Sequence, residues 1–248
     1  MIRTSPAKSF TTRGGALPGL RRKGSKLLTD DLPVAGEDPS AFIRAHTALH
    51  EPPLVPELQL HLATEGDALW RMGEDELAAT DLPAPFWAFA WAGGQALARY
   101  IIDTPDIIAE KRVLDFGSGS GLVGLASMHA GAMSALAADI DVFACAAATL
   151  NARANNVRLS TTSDDLVGQD GPWDIILVGD MCYEQPLADS VEAWLLDQAS
   201  KGIKVLIGDP GRTYLPKGRL QKVISYAVKT SRELEDTDVR NTSVWQFS

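Results

Sequence analysis

The chain has 248 residues and a formal net charge of −9, with 45% hydrophobic and 22% charged residues. These proportions belong to a globular chain and exclude disorder throughout; the length allows one large domain or two small ones. Two cysteines, Cys145 and Cys182, sit in no CxxC or CxxH pattern, which excludes a disulfide framework and argues against a structural zinc site.

The charge is divided unevenly. Residues 1–26 hold seven Lys and Arg and no acid, so the remaining 222 residues carry −16. A body this acidic repels phosphate backbones, which speaks against a nucleic-acid partner. The basic tail has no apolar run of the kind that a secretory signal needs, although its Arg, Ser and Thr content is shared with mitochondrial transit peptides. We read residues 1–37 as a disordered arm, or as an extension from an upstream start codon. Removing residues 1–33 is expected to leave activity intact. The longest apolar stretch, Leu122 to Ala138, is broken by glycines, serines and His129. It falls short of the ~20 residues that cross a bilayer, so no membrane partner is expected.

Residues 38–103 read as an N-terminal extension packing on the core. Pro39–Leu49 is a short helix ended by Pro52 and Pro53. Val55–Leu62 has apolar residues at 58, 60 and 62 and reads as a half-buried strand. A helix over Asp67–Ala79 is broken at Pro83 and Pro85. An aromatic cluster, Phe86 to Trp91, then leads into a helix over Gly94–Ile102.

From residue 104 the pattern becomes strand–helix alternation. Strands are expected at Arg112–Phe116, Met133–Ala138, Val157–Thr161, Trp173–Gly179 and Gly202–Gly208. Helices are expected at Leu122–Ala130, Val142–Asn155, Pro186–Ala199 and Pro216–Tyr226. Two last strands, Tyr226–Arg232 and Val239–Phe247, flank the acidic Glu233–Asp236 connection. Continuous apolar strands between helices imply an α/β fold with a mostly parallel sheet covered on both faces. The last pair lacks a helix between its strands, so at least one runs antiparallel.

The sharpest motif is Asp115-Phe-Gly117-Ser118-Gly119-Ser-Gly121, between a strand and a helix. Glycines there let the backbone turn tightly and approach a ligand. The dinucleotide fingerprint GxGxxG fails because Leu122 stands where the third glycine belongs, and GxxxxGK[ST] fails for want of a lysine. An acid within the loop suits a ligand with an amine and no phosphate, as in S-adenosylmethionine. Asp139, 24 residues after Asp115 and at the end of the second strand, is placed to accept both ribose hydroxyls. Asp141 is a weaker candidate. Asp165, before the apolar Leu166, is chosen for the adenine amino group. Trp91 and the Gly93-Gly94 pair are placed at the flank of this pocket, and Trp87 is read as packing. The four histidines are scattered and form no metal constellation.

The fourth strand ends Gly179-Asp180-Met-Cys182-Tyr183. It lacks the [DN]-P-P-[YFW] of glutamine and base methyltransferases. Asp180 offers a carboxylate and Tyr183 an aromatic face, which suits a lysine ammonium. Cys182, between them, reads as a small buried residue and not a nucleophile.

This D-x-x-[FY] motif resembles that of the seven-β-strand protein methyltransferases grouped as methyltransferase family 16. Pro85-Phe-Trp-Ala-Phe-Ala-Trp91, Gly208-Asp-Pro-Gly-Arg-Thr-Tyr-Leu-Pro216 and Arg232-Glu-Leu-Glu-Asp are similar to the electron transfer flavoprotein β-subunit lysine methyltransferases and their bacterial homologues. The resemblance runs from about Asp38 to the C-terminus. It implies a Rossmann-like class I methyltransferase fold with a seven-stranded sheet and an antiparallel C-terminal hairpin. It implies S-adenosylmethionine as donor, no metal, and lysines of the flavoprotein β subunit as acceptors. In the family those lysines lie beside the loop that docks to dehydrogenases. Asp115, Gly117, Gly119, Gly121 and Asp139 match the family's cofactor positions, and Asp180 and Tyr183 its substrate motif. Bacterial chains of this kind are often labelled ribosomal protein L11 methyltransferase-like, which is kept as the alternative. An NAD(P) oxidoreductase is disfavoured by the failed fingerprint, and a non-catalytic adenosine-binding domain by the intact motifs. The expected compartment is the bacterial cytoplasm, or the mitochondrial matrix in a eukaryotic source.

Overall fold

Apolar runs between helices build one seven-stranded sheet, and a smaller hairpin precedes it in the chain. A computed structural model describes residues 38–64, 67, 69, 84–230, 235 and 237–247. In chain order the elements are α1 (Pro39–His46), β1 (Ala48–His50), β2 (Leu60–Leu62) and α2 (Ala92–Asp103). There follow β3 (Arg112–Phe116), α3 (Leu122–His129), β4 (Ser134–Ala138), α4 (Val142–Ala154) and β5 (Ser160–Thr162). The chain then continues through β6 (Ile175–Gly179), α5 (Gln185–Ser200), β7 (Lys204–Asp209), β8 (Leu220–Lys229) and β9 (Val239–Phe247). The arm 1–37, most of the helix expected at Asp67–Ala79 and most of the Glu233–Asp236 connection lie outside the described residues.

The sheet order is β5-β4-β3-β6-β7-β9-β8. The first five strands in that order are mutually parallel. β9 runs antiparallel to both β7 and β8. This is the seven-stranded, mostly parallel sheet with an antiparallel C-terminal pair that the sequence leads one to expect. The chain builds outward from β3 to β5 and then crosses back to β6. The carboxyl ends of β3 and β6 therefore form the switch point, where sheets of this kind bind ligands.

The central strands are buried on both faces, with side chains alternating between them. Leu114, Phe116, Ile176, Val178, Val205 and Ile207 pack with Trp194 and Leu195 of α5. Val113, Ile175, Leu177, Leu206 and Val244 face the other way, onto Leu97 and Ile101 of α2 and Val123 of α3. α2, assigned by sequence to the N-terminal extension, thus belongs to the layer covering the sheet.

The rest of the extension is tied to α4. Asn151, fully buried, accepts the His61 N–H at 2.7 Å through Oδ1 and donates to the Ser120 carbonyl at 2.9 Å through Nδ2. One side chain thereby joins β2 to the loop after β3. Phe42 of α1 and Trp87 close on Phe143 of α4, with ring centroids 5.6 and 6.3 Å away. Trp87 is 2% exposed, which is the packing role expected of it.

Several expected elements differ. The helix expected over Pro39–Leu49 stops at His46 and is followed by strand β1, and the strand expected at Val157–Thr161 spans Ser160–Thr162. Over Val55–Leu62, Val55 and Leu58 are buried in turns and only Leu60–Leu62 pairs, with β1. The helix expected at Pro216–Tyr226 is absent: a short 3-10 turn at Lys217–Arg219 leads directly into β8. A β-bulge between Lys222 and Ile224 explains the misreading. The extra residue shifts the period of two, so apolar residues fall at 220, 223, 224 and 227, which is helical spacing.

Candidate active site

The glycine loop after β3 has the backbone its sequence requires. Gly117, Gly119 and Gly121 have φ of 66°, 49° and 78°, the left-handed region that glycine enters without Cβ strain. The N–H groups of Gly117 and Ser118 both bond the Ala138 carbonyl at the end of β4, at 2.9 and 3.1 Å. A Cβ on Gly117 would collide with the Met181 sulfur, so the loop after β6 packs directly on this one.

Asp139 sits beside the loop. Its Oδ2 accepts the Gly119 N–H at 2.9 Å and its Oδ1 the Asp141 N–H at 3.0 Å. Asp141 caps α4, accepting the Phe143 N–H at 2.8 Å. Burial pushes its carboxyl up to about 6. Ile140, between the two acids, is 76% exposed, an apolar side chain left uncovered at the carboxyl end of β4. Ser118 contributes a buried Oγ with no hydrogen-bond partner among the described residues.

Asp115 is placed differently from a ligand-facing acid. It is 1% exposed, and its Oδ2 accepts the Gly124 N–H of α3 at 2.8 Å. Burial pushes its pKa to about 8, with the Asp139 charge adding to the shift. The carboxyl lies beneath the helix N-terminus and braces the loop from below. Asp165 is exposed on the connection after β5, and its Oδ1 accepts the Val167 N–H at 3.0 Å in a local turn.

β6 ends at Asp180, a non-glycine residue with φ of 53°. Such a conformation is uncommon and is concentrated at functional sites. The side chain is 7% exposed. Oδ2 accepts the Gly93 N–H in the first turn of α2. Oδ1 accepts Nη2 and Nε of Arg212 at 2.9 and 3.1 Å. Burial raises the Asp180 pKa, opposed by Arg212 and by the N–H groups of Gly93 and Gly94. A lysine ammonium was expected on this carboxylate; here its cation is Arg212. The reason is local: Arg212 follows β7, the strand next to β6, and the carboxylate must be paired once buried.

Around Asp180 stands a group of aromatic rings. Phe86 lies 5.6 Å from Tyr183 and 5.9 Å from Trp91, centroid to centroid. Trp91 Nε1 donates to the Phe86 carbonyl at 2.9 Å, which fixes the indole, and the Arg212 guanidinium lies 5.9 Å from its ring. Tyr183 is 44% exposed, so its ring borders solvent. The turn at Phe86–Trp87 passes over Gly119, 3.8 Å from where a Cβ would stand. The aromatic segment thus bridges the glycine loop and the end of β6. Cys182 is buried, which pushes its thiol up to about 12 and suits the packing role expected of it.

Sequence reasoning gave no role to Phe86, Met181, Arg212 or Glu235. Arg212 and Glu235 do lie in the stretches that carry the family resemblance, but their pairing crosses 23 residues and needs the fold.

The profile of the ribosomal protein L11 methyltransferase (PrmA) family matches residues 96–180. The Xenopus laevis electron transfer flavoprotein beta subunit lysine methyltransferase is 39% identical over 216 residues, 84% of this chain and 87% of that protein. The human protein of the same name is 37% identical, over 78% of this chain and 76% of its own. Among solved structures, a "putative RNA methyltransferase" from Pyrococcus horikoshii superposes with a TM-score of 0.50 at 13% identity, covering 68% of this chain and 89% of that one. That likeness carries the fold alone. With identity of this extent along nearly its whole described length, the chain belongs to the family of the electron transfer flavoprotein beta subunit lysine methyltransferases.

Proposed function

We propose that the protein transfers methyl groups from S-adenosylmethionine to lysine side chains of the electron transfer flavoprotein β subunit. The observation that carries this reading is the meeting of two motifs at one switch point. The glycine loop and Asp139 end β3 and β4, and Asp180 and Tyr183 follow the adjacent β6. Relatives that share the substrate name align along 76–87% of their own length in vertebrates. L11 methyltransferases from two bacteria align over 36% and 61% of this chain but over 29% and 45% of their own length, which favours the flavoprotein over the ribosomal acceptor.

The residues present fit the donor. Ser118 has an orphaned Oγ, the loop glycines leave the backbone open to close approach, and the Asp139 carboxylate suits a ribose diol. Gly117 to Gly121 and Asp139 would hold the nucleoside and the amino acid portion; Ile140 would cover the adenine face. Asp165, exposed after β5 and directly before the buried Leu166, would meet the adenine amino group. Bound there, the sulfonium supplies an electrophilic methyl.

The chain's own part is binding, orientation and exclusion of water. Tyr183, Phe86 and Trp91 would line the entry of the lysine stem, and Asp180 would set the charge beside its amine. The ammonium loses its proton to water before attack. The neutral amine then forms the N–C bond as the C–S bond breaks and its electron pair returns to sulfur. Methylation beside a docking loop would tune association with dehydrogenases. The compartment that follows is that of the flavoprotein, the bacterial cytoplasm or the mitochondrial matrix. Among the described residues no helix is long and apolar enough to cross a membrane.

Calorimetry with S-adenosylhomocysteine and with NADH tests the donor class. Binding of the first and not the second is expected, and the reverse would overturn the proposal.

A further inference from the structure

Arg212 is 12% exposed in its side chain and is surrounded by carboxylates. Its Nε and Nη2 hold Asp180 Oδ1, and Nη2 also reaches Glu235 Oε1 at 2.8 Å. Its backbone N–H donates to Asp209 Oδ1 at 2.7 Å. Glu235 is 1% exposed, and its Oε2 lies 3.4 Å from Arg240 Nε of β9. Asp209 is also 1% exposed, and its Oδ2 has no hydrogen-bond partner among the described residues. Among the described residues, the charges acting at Asp180 are therefore Asp209 from β7, Arg212 from the connection after it and Glu235 from between β8 and β9, with Arg240 of β9 behind Glu235. α2 adds the N–H groups of Gly93 and Gly94, and Glu192 of α5 acts on neighbouring Cys182.

A methyl acceptor must be a neutral amine. A lone carboxylate beside a lysine stabilises the ammonium and raises its pKa, which opposes attack. A guanidinium fixed on that carboxylate cancels most of this field. We propose that Arg212 is the positioning residue of the acceptor site: it fixes the orientation of Asp180 and compensates its charge, so that the incoming lysine gives up its proton near neutral pH. Glu235 holds the guanidinium from the far side, which makes this residue part of the site. The inference rests on the methyl-transfer reading above and deepens it.

The test is the pH profile of kcat for wild type, Arg212→Lys, Arg212→Gln and the double variant Arg212→Gln/Glu235→Gln, with S-adenosylmethionine and the flavoprotein β subunit. Loss of the cation is expected to move the midpoint of the rising limb upward by about one pH unit, which is about tenfold in kcat at pH values below it. Raising the pH should then restore most of the lost rate. Arg212→Lys keeps the charge, so its midpoint stays near that of wild type while kcat falls. Calorimetry should find S-adenosylhomocysteine binding within about threefold of wild type in all variants, because Arg212 bonds Asp180, Asp209 and Glu235 and none of the groups proposed to hold the donor. A merely structural role lowers kcat equally at every pH. If Arg212→Gln does not fold, the double variant, which orphans no buried carboxylate at position 235, decides by the same midpoint. A folded cation-free variant with an unmoved midpoint overturns the inference while wild-type activity preserves the transfer reading. A wild type that methylates nothing overturns both.

Discussion

Asp180, at the end of β6, caps α2 from a distant strand: its Oδ2 accepts the N–H of Gly93, two residues into the helix. Trp91, at the cap position itself, offers the helix N–H groups no side-chain acceptor; its Nε1 donates to the Phe86 carbonyl instead. The first N–H groups of a helix need an acceptor, and the positive end of the helix dipole favours a carboxylate there. The carboxylate that pairs with Arg212 therefore also fixes the helix that follows the aromatic segment.

Two consequences can be separated by substitution. Asp180→Ala removes the partner of a buried guanidinium, a change that costs about 3–5 kcal/mol in comparable pairs. Its thermal midpoint should fall clearly. Asp180→Asn keeps the shape and one acceptor oxygen, enough for Gly93 or Arg212 but not both, and should melt between Asp180→Ala and wild type. Both should lose methyl transfer by about 100-fold or more, the scale expected for a misplaced reacting group. Binding of S-adenosylhomocysteine should be largely spared. An active Asp180→Asn variant would contradict the assignment.

The glycine pair of α2 gives an internal control. A Cβ on Gly93 would meet the Gly208 carbonyl and the Asp180 carboxylate, whereas one on Gly94 meets nothing within 4 Å. Gly93→Ala should therefore destabilise by about 1–3 kcal/mol, the usual cost of overpacking. Gly94→Ala should be neutral or stabilise by roughly 0.5–1 kcal/mol, because alanine loses less backbone entropy in a helix. Denaturant titration measures both; equal stabilities would show that α2 does not approach β7 this closely.

Asp139 offers the most direct probe of the donor pocket. A charge-assisted hydrogen bond contributes about 1.5–3 kcal/mol, so Asp139→Asn should weaken S-adenosylhomocysteine by about tenfold or more. Asp141→Asn should affect α4 and leave that affinity nearly unchanged. Equal losses would mean that Asp141 also faces the ligand.

Asp115 makes a pH prediction for the ligand-free protein. Its folded pKa of about 8 lies well above that of a carboxyl in an unfolded chain. Between those values the folded state holds a proton that the unfolded state has released. This contribution to stability is therefore fully present below the unfolded pKa and is lost as pH rises towards 8. The slope approaches about 1.4 kcal/mol per pH unit for one such group. Asp115→Asn should remove that component, so the gap between variant and wild type should close or reverse as pH rises from 5 to 8. A constant gap would show that Asp115 ionises normally.

The legible part of this molecule is the part written in local pattern. Leu114, Ile176 and Leu206 lie in continuous apolar runs, and the strands they mark occur where expected. The loop glycines and Asp139 could be placed because strand, turn and helix follow one another within a few residues. β8 was misread because its bulge imitates helical spacing. The Asp180–Arg212–Glu235 chain was invisible for another reason: it joins the ends of β6 and β7 to the β8–β9 connection, and only the sheet order brings them together. Asp115 shows the limit of a motif, since the spacing identified the residue and the fold turned its carboxyl towards Gly124.

Intact mass of the flavoprotein β subunit after incubation with the enzyme and S-adenosylmethionine tests the central claim most directly, with ribosomal protein L11 treated in parallel. The β subunit should gain whole methyl groups, mapped by fragmentation to lysine side chains, and the Asp180→Asn enzyme should leave it unchanged. An unmodified β subunit beside a methylated L11 would contradict the account.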